Sequence, residues 1–177
     1  MRNIVYYVAM SLDGYISGVN DDISQFNTKG NGVTQYLKDL NDYDTVIMGR
    51  KTYEFGYKYG LKPGQKAYPH MKHVIFSDTL TFENTIEGIE ISKSDLNKIK
   101  QLKEESGTDI YLCGGGTFAE WLLENQLIDQ IKIKLNPFIT GEGVRLFGHS
   151  KKRVSLELLR SKKYEHGLQI MTYDIRY

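Results

Sequence analysis

Cysteine is nearly missing from this chain. Cys113 is the only one in 177 residues, so no internal disulfide holds the fold, and its place in an apolar run marks it as a structural thiol inside a strand. An excess of one charge is missing too: 23 basic residues stand against 22 acidic ones, for a formal net charge of +1. No global field draws the chain to DNA, RNA or an anionic membrane, and any anion site must be local. The 13 tyrosines are not interleaved with a basic stripe, which argues further against a nucleic-acid surface. The amino-terminal MRNIVYYVAMSLDGYIS has only about seven apolar-rich residues, too few for a signal-peptide core with its cleavage site or for a membrane span. A cytoplasmic protein is expected. His70, His73, His149 and His166 are scattered without metal-ligand spacing, so no metal is expected. No linker, repeat or low-complexity stretch divides the chain. Residues 1–177 therefore read as one domain, long enough to bury about 70% of the surface of its unfolded form.

What the chain has is two glycine-bearing turns, each entered from an apolar strand and each opening a helix. The first is TVIMGRKTYEFG, Thr45 to Gly56, and the second is DIYLCGGGTFAEWLLENQLID, Asp109 to Asp129. A strand that stops at glycine and gives way to a helix leaves free N–H groups and the positive end of a dipole at one point, where a phosphate binds well. Arg50, Lys51 and Thr52 add two cations and a hydroxyl to the first turn. Cations at a helix start oppose the dipole by a few tenths of a kcal/mol unless an anion offsets them. GGGTFAE is neither the G-x-G-x-x-G of dinucleotide-binding folds nor the phosphate loop G-x-x-x-x-G-K-[ST]. Three consecutive glycines still let a ligand approach the backbone, beyond the one or two that a tight turn needs. A phosphorylated nucleotide is the expected ligand.

Strand and helix alternate along the first two-thirds. Ile4 to Met10, Thr45 to Met48, His73 to Phe76, Gly88 to Ile91 and Ile110 to Cys113 read as strands. Ser11 to Asp22 reads as a loop, and Gly56 to Met71 as a long surface loop. Val33, Tyr36, Leu37 and Leu40 recur at helical spacing. A further helix runs through Leu96, Ile99 and Leu102, capped by Ser92 or Ser94, and Thr117 with Glu120 forms the T-x-x-E capping box of the helix after the glycines. Ile131, Ile133 and Leu135 alternate with Lys132, Lys134 and Asn136, the period of a strand with one wet face. Val154 to Tyr164 and Leu168 to Tyr177 flank a turn at Glu165-His166-Gly167. The expected fold is α/β, a mostly parallel central sheet with helices on both faces and an antiparallel C-terminal hairpin. Asp13 and Asp22 flank the first loop as candidate proton sources, Asp13 also lying in a tight D-G turn where its carboxylate bonds nearby backbone.

VIMGRKT, a strand ending at Ser77, and a strand running into GGG and a helix together resemble the dihydrofolate reductase fold. SLDG at Ser11 to Gly14 and LIDQIKIKLNPFITGEGVRLF at Leu127 to Phe147 are similar, more specifically, to the C-terminal reductase domain of bacterial riboflavin biosynthesis enzymes. The resemblance covers nearly the whole chain. It implies NADPH as cofactor, with Arg50, Lys51, Thr52 and Ser77 around the adenosine 2′-phosphate and Gly49 among the cofactor-binding residues. Gly114, Gly115, Gly116, Thr117 and Phe118 would lie near the pyrophosphate and nicotinamide side, and Ala9 and Ile16 would offer backbone groups to the carboxamide. It places Asp22 near the acidic substrate residue and implies a homodimer. The chain departs from those families at Gln65, where folate-binding reductases carry arginine, and at Tyr15, where the riboflavin type usually has a basic residue after SLDG. The zinc motif of the deaminases, H-x-E with P-C-x-x-C, does not occur. The expected activity is NADPH-dependent reduction of a pteridine, a pyrimidine of the 5-amino-6-(5-phosphoribosylamino)uracil kind, or a related heterocycle. The alternatives are a non-catalytic NADP(H)-binding protein and a true dihydrofolate reductase.

Overall fold

The computed structural model describes residues 1–84 and 86–177. Six strands run parallel: β1 (Ile4–Ser11), β3 (Thr45–Gly49), β4 (Lys72–Phe76), β5 (Ile89–Ser92), β6 (Ile110–Gly114) and β7 (Gln130–Asn136). The antiparallel pair β9 (Ser155–Lys163) and β10 (Gln169–Arg176) closes one edge, giving the order β5-β4-β3-β6-β1-β7-β10-β9. Inside the stretch read as the first loop, β2 (Tyr15–Ser17) pairs with β8 (Val144–Arg145) in a separate ribbon.

The period-two alternation of the strands sorts their side chains onto two faces. Ile4, Tyr6, Ile47, Val74, Phe76, Ile110 and Leu112 pack on one face with α3 (Leu96–Glu104) and α4 (Gly116–Glu124). Val5, Tyr7, Val46, Met48, Ile75 and Tyr111 pack on the other with α1 (Asn31–Asp39) and α2 (Arg50–Phe55). The doubly covered parallel sheet expected from the sequence is what forms, because buried strands connected by helices can be satisfied only with helices on both sides.

Four local expectations need correction. The helix through Leu96 is capped by Asp95, whose carboxylate accepts from the Asn97 N–H at 2.9 Å, not by Ser92 or Ser94. The Thr117–Glu120 box does not form: α4 starts two residues earlier than that box requires, at Gly116, with Gly115 in the cap position, and the Glu120 carboxylate accepts from the His149 N–H at 3.1 Å. The second face of β7 is not wet. Lys134 is buried with its ammonium over the Tyr36 ring of α1, Asn136 is buried and accepts from the Asn27 N–H at 3.0 Å, and the Lys132 ammonium pairs with Asp39 of α1 at 2.6 Å. Finally, the segment from Gly56 to Met71 is not all surface: it opens with a short 3-10 turn, Gly56–Tyr59, and ends on the fully buried Met71. In α1 itself Leu37 points to solvent, while Gly32 is buried against Leu168 and Tyr164.

Among the described residues, no helix is long and apolar enough to cross a membrane.

Candidate functional site

The two glycine turns lie against each other at the carboxyl ends of neighbouring strands, β3 and β6. The Thr52 hydroxyl donates to the Gly114 carbonyl at 3.0 Å, and a Cβ on Gly49 would sit 3.3 Å from the Phe118 Cβ. All three glycines of the second turn have a structural cause. Gly114 and Gly115 have φ of +132° and +96°, which side chains rarely adopt, and a Cβ on Gly115 would lie 2.5 Å from the Thr52 hydroxyl oxygen. Gly116 has no such φ; there a Cβ would overlap the Arg145 carbonyl oxygen. The turn therefore leaves the amino end of the nine-residue α4 without a side-chain cap, and that end faces a cavity.

The cavity has a volume of about 790 Å³ and opens above the carboxyl ends of β1, β3, β4 and β6, the usual ligand position in a parallel α/β sheet. Ala9, Ile16, Gly49, Arg50, Lys51, Thr52, Gly115, Gly116, Thr117 and Phe118 all line it. Arg50 is partly engaged, its Nη1 donating to both carboxylate oxygens of Glu54 at 3.2 and 3.0 Å. Lys51 is exposed and has no carboxylate partner among the described residues. Beside this polar turn, Phe76, Phe118 and Trp121 form an aromatic wall with rings stacked at 4.9 and 5.8 Å.

Three expected site residues stand apart. Gly114 is not part of the lining, and its carbonyl is taken by Thr52. Ser77 is turned away: its hydroxyl accepts from the Thr79 and Leu80 N–H groups at 3.1 and 2.9 Å, and Ser94 lines the cavity instead. Asp22 is exposed and not part of the lining. Its carboxylate accepts from the Ser24 N–H at 2.9 Å, and that bond holds it below the usual carboxylate range, the wrong direction for a proton donor. The neighbouring Asp21 does line the cavity and pairs with Lys58 at 3.3 Å. Asp13 bonds backbone as expected, but distant backbone: it accepts from Thr140 N at 3.2 Å and Gly141 N at 2.8 Å, and from the Ser11 hydroxyl at 2.6 Å.

The sequence reading missed the inner wall. Tyr7, Tyr36, Tyr53, Tyr68, Tyr111 and Cys113 line the cavity from five separate segments. The Tyr36 and Tyr111 hydroxyls lie 2.8 Å apart, and the Tyr68 hydroxyl lies 3.3 Å from the Cys113 sulfur. The three hydroxyls and the thiol are neutral near pH 7, and burial pushes all four further up. A neutral thiol agrees with a structural role for Cys113.

Known proteins can be set beside this geometry. The RibD C-terminal domain model matches residues 2–170. A Bacillus subtilis (strain 168) protein, the uncharacterized YyaP, is 28% identical over 97% of this chain and 94% of its own. The crystal structure of a putative riboflavin biosynthesis protein from Shewanella sp. PV-4 superposes with a TM-score of 0.80 at 25% identity, covering 100% of both chains. Enterococcus faecalis dihydrofolate reductase, complexed with NADP(H) and RAB-propyl, gives a TM-score of 0.69 at 15% identity over 99% of this chain and 97% of its own, a likeness of fold.

Proposed function

The chain belongs to the RibD C-terminal domain family, and from that premise we propose that it is an oxidoreductase that reduces a heterocycle with NADPH. The observation that carries this reading is the division of one cavity into two ends. At one end, Arg50, Lys51 and the uncapped start of α4 face the cavity; at the other is a chamber of aromatic side chains.

The residues present fit such a cofactor. Lys51 and the part of the Arg50 guanidinium left over from Glu54 are placed for phosphate, and the N–H groups at Gly116 and Thr117 for pyrophosphate oxygens. Phe118 and the neighbouring aromatic rings offer faces for planar groups, and Ala9 and Ile16 bring backbone to the junction of the two ends. When bound, the reduced nicotinamide supplies two electrons and one proton as hydride to a polarised double bond of the substrate, the second proton coming from water. The protein's part is to orient the two rings against each other, which the Phe76–Phe118–Trp121 wall and the tyrosine chamber do together.

The test is NADPH binding followed by NADPH oxidation against a panel of reducible heterocycles. Binding with turnover on at least one member is the expected result. Tight binding with no turnover on any member would make the protein a nucleotide-binding module, and no binding would remove the reading altogether.

A homodimer is part of this proposal. The edge strand β9 is exposed along all nine residues, with Leu156, Leu158 and Leu159 about half exposed, a surface that a second copy would cover. Light scattering at micromolar concentration should give about twice the 20.4 kDa chain mass; the mass of a single chain would reject it.

A further inference from the structure

Charge is unevenly spread around the cavity. Among the residues that line it, the cations are Arg50 and Lys51, both at the β3–α2 turn, and the one carboxylate, Asp21, is met by Lys58. The inner chamber between β1, β6 and α1 presents tyrosines and a thiol, all neutral. Much of their polarity is already used inside the protein: Tyr7 donates to Asp39 at 3.0 Å, Tyr53 to the Gln65 carbonyl at 2.7 Å, and Tyr36 pairs with Tyr111.

Two ammonium groups come close but stand behind the rings. Lys132 Nζ lies 4.5 Å from the Tyr7 ring centroid and is neutralised by Asp39, and Lys134 Nζ lies 4.7 Å from the Tyr36 centroid. Neither lysine is part of the lining. A phosphate or carboxylate placed in the chamber would shed its water with no cation facing it, which is strongly unfavourable. An uncharged ring would lose little hydration and gain aromatic contact.

We propose that the substrate chamber accepts an uncharged, unphosphorylated ring compound and rejects phosphoribosylated or glutamylated relatives of the same ring. Whichever hydroxyl donates within the Tyr36–Tyr111 pair, the other keeps its hydrogen, which a ring carbonyl or ring nitrogen of the ligand can accept. The inference rests on the reductase reading above for assigning the Arg50–Lys51 end to the cofactor.

Matched pairs test it: 5,6-diaminouracil against 5-amino-6-(5-phosphoribosylamino)uracil, and a simple dihydropteridine against dihydrofolate. Binding is read as a thermal shift and by titration calorimetry on the protein with and without saturating NADPH, and turnover separately. The uncharged member of at least one pair should bind roughly tenfold tighter or more than its charged partner. Equal or tighter binding of the charged members, or no binding of either uncharged ring, overturns the proposal. A preference for the charged member that disappears in Lys134→Met would identify Lys134 as the cation that does reach the chamber. The hydroxyl is tested by Tyr111→Phe, which should weaken the uncharged ring about threefold or more while leaving NADPH affinity unchanged; an unchanged ring affinity removes the acceptor-reading role. Loss of NADPH binding in the unmodified protein would instead strike the reductase reading, and the pairs measured without NADPH would still judge the chamber.

Discussion

The Thr52 hydroxyl and the Gly114 carbonyl, 62 positions apart, meet at 3.0 Å and tie the two glycine turns into one surface. On that surface the α2 cations and the open end of α4 face the same cavity.

Thr52→Val removes that bond and keeps the side-chain volume. It should cost about 1 kcal/mol of stability and weaken NADPH, because the turns are no longer held in register. Gly115→Ala should be worse, since it adds an unfavourable φ to a contact of 2.5 Å with Thr52. Chemical denaturation with NADPH titration on both variants checks this; a Thr52→Val protein of unchanged stability and affinity would show that the bond contributes nothing.

Arg50 is shared between Glu54 and the cavity, which makes cofactor choice tunable from both sides. Arg50→Ala should weaken NADPH roughly ten- to a hundredfold, the value of a charge-assisted bond of about 1.5–3 kcal/mol, and leave NADH nearly unchanged. Glu54→Gln should tighten NADPH by releasing the guanidinium. Equal losses for both cofactors in Arg50→Ala would mean that Arg50 does not read the 2′-phosphate.

Asp22 should be dispensable. With its carboxylate exposed and bonded to Ser24, Asp22→Asn is expected to change turnover by no more than about twofold, whereas loss of a general acid costs about 10²–10⁴-fold. A drop in that range, once a substrate is in hand, would return Asp22 to the mechanism.

His73 should make stability fall in mild acid. Its ring is fully buried, Nδ1 donating to the Met71 carbonyl at 3.1 Å and Nε2 accepting from the Tyr68 N–H at 3.2 Å. Burial lowers its pKa from 6.5 to about 4. Between those values the unfolded chain binds the proton and the folded one does not, so this contribution is intact above pH 6.5 and declines as pH falls toward 4. The full loss is about 3 kcal/mol. Nuclear magnetic resonance titration of the ring should show no transition near pH 6.5; one found there would mean that the ring is open to solvent.

The sheet and its covering helices were legible because they follow from local pattern. Inward residues of β1, β3, β4 and β6 recur with period two, and apolar runs ending at glycine mark where strands stop. The cofactor end was legible for the same reason: Gly49 to Thr52 and Gly115 to Phe118 are contiguous, so whatever places one residue places its neighbours. The capping box at Thr117 was misread because a T-x-x-E pattern does not say which residue starts the helix, and backbone conformation at Gly115 settled that. The wet face assigned to β7 was misread because two lysines and an asparagine look solvated until distant segments meet them, Asp39 and the tyrosine rings at the lysines and the Asn27 N–H at Asn136.

The sequence alone determined the α/β class, the doubly covered sheet, the C-terminal hairpin and the position of the two glycine turns, since each depends on residues close together in the chain. Tertiary structure alone decided the substrate chamber. Tyr7, Tyr36, Tyr68, Tyr111 and Cys113 converge from separate strands, a helix and a loop, and the Tyr36–Tyr111 and Tyr68–Cys113 contacts form only because the packed sheet brings these side chains together out of water. No local pattern carries that information, because the physical cause is the burial they share.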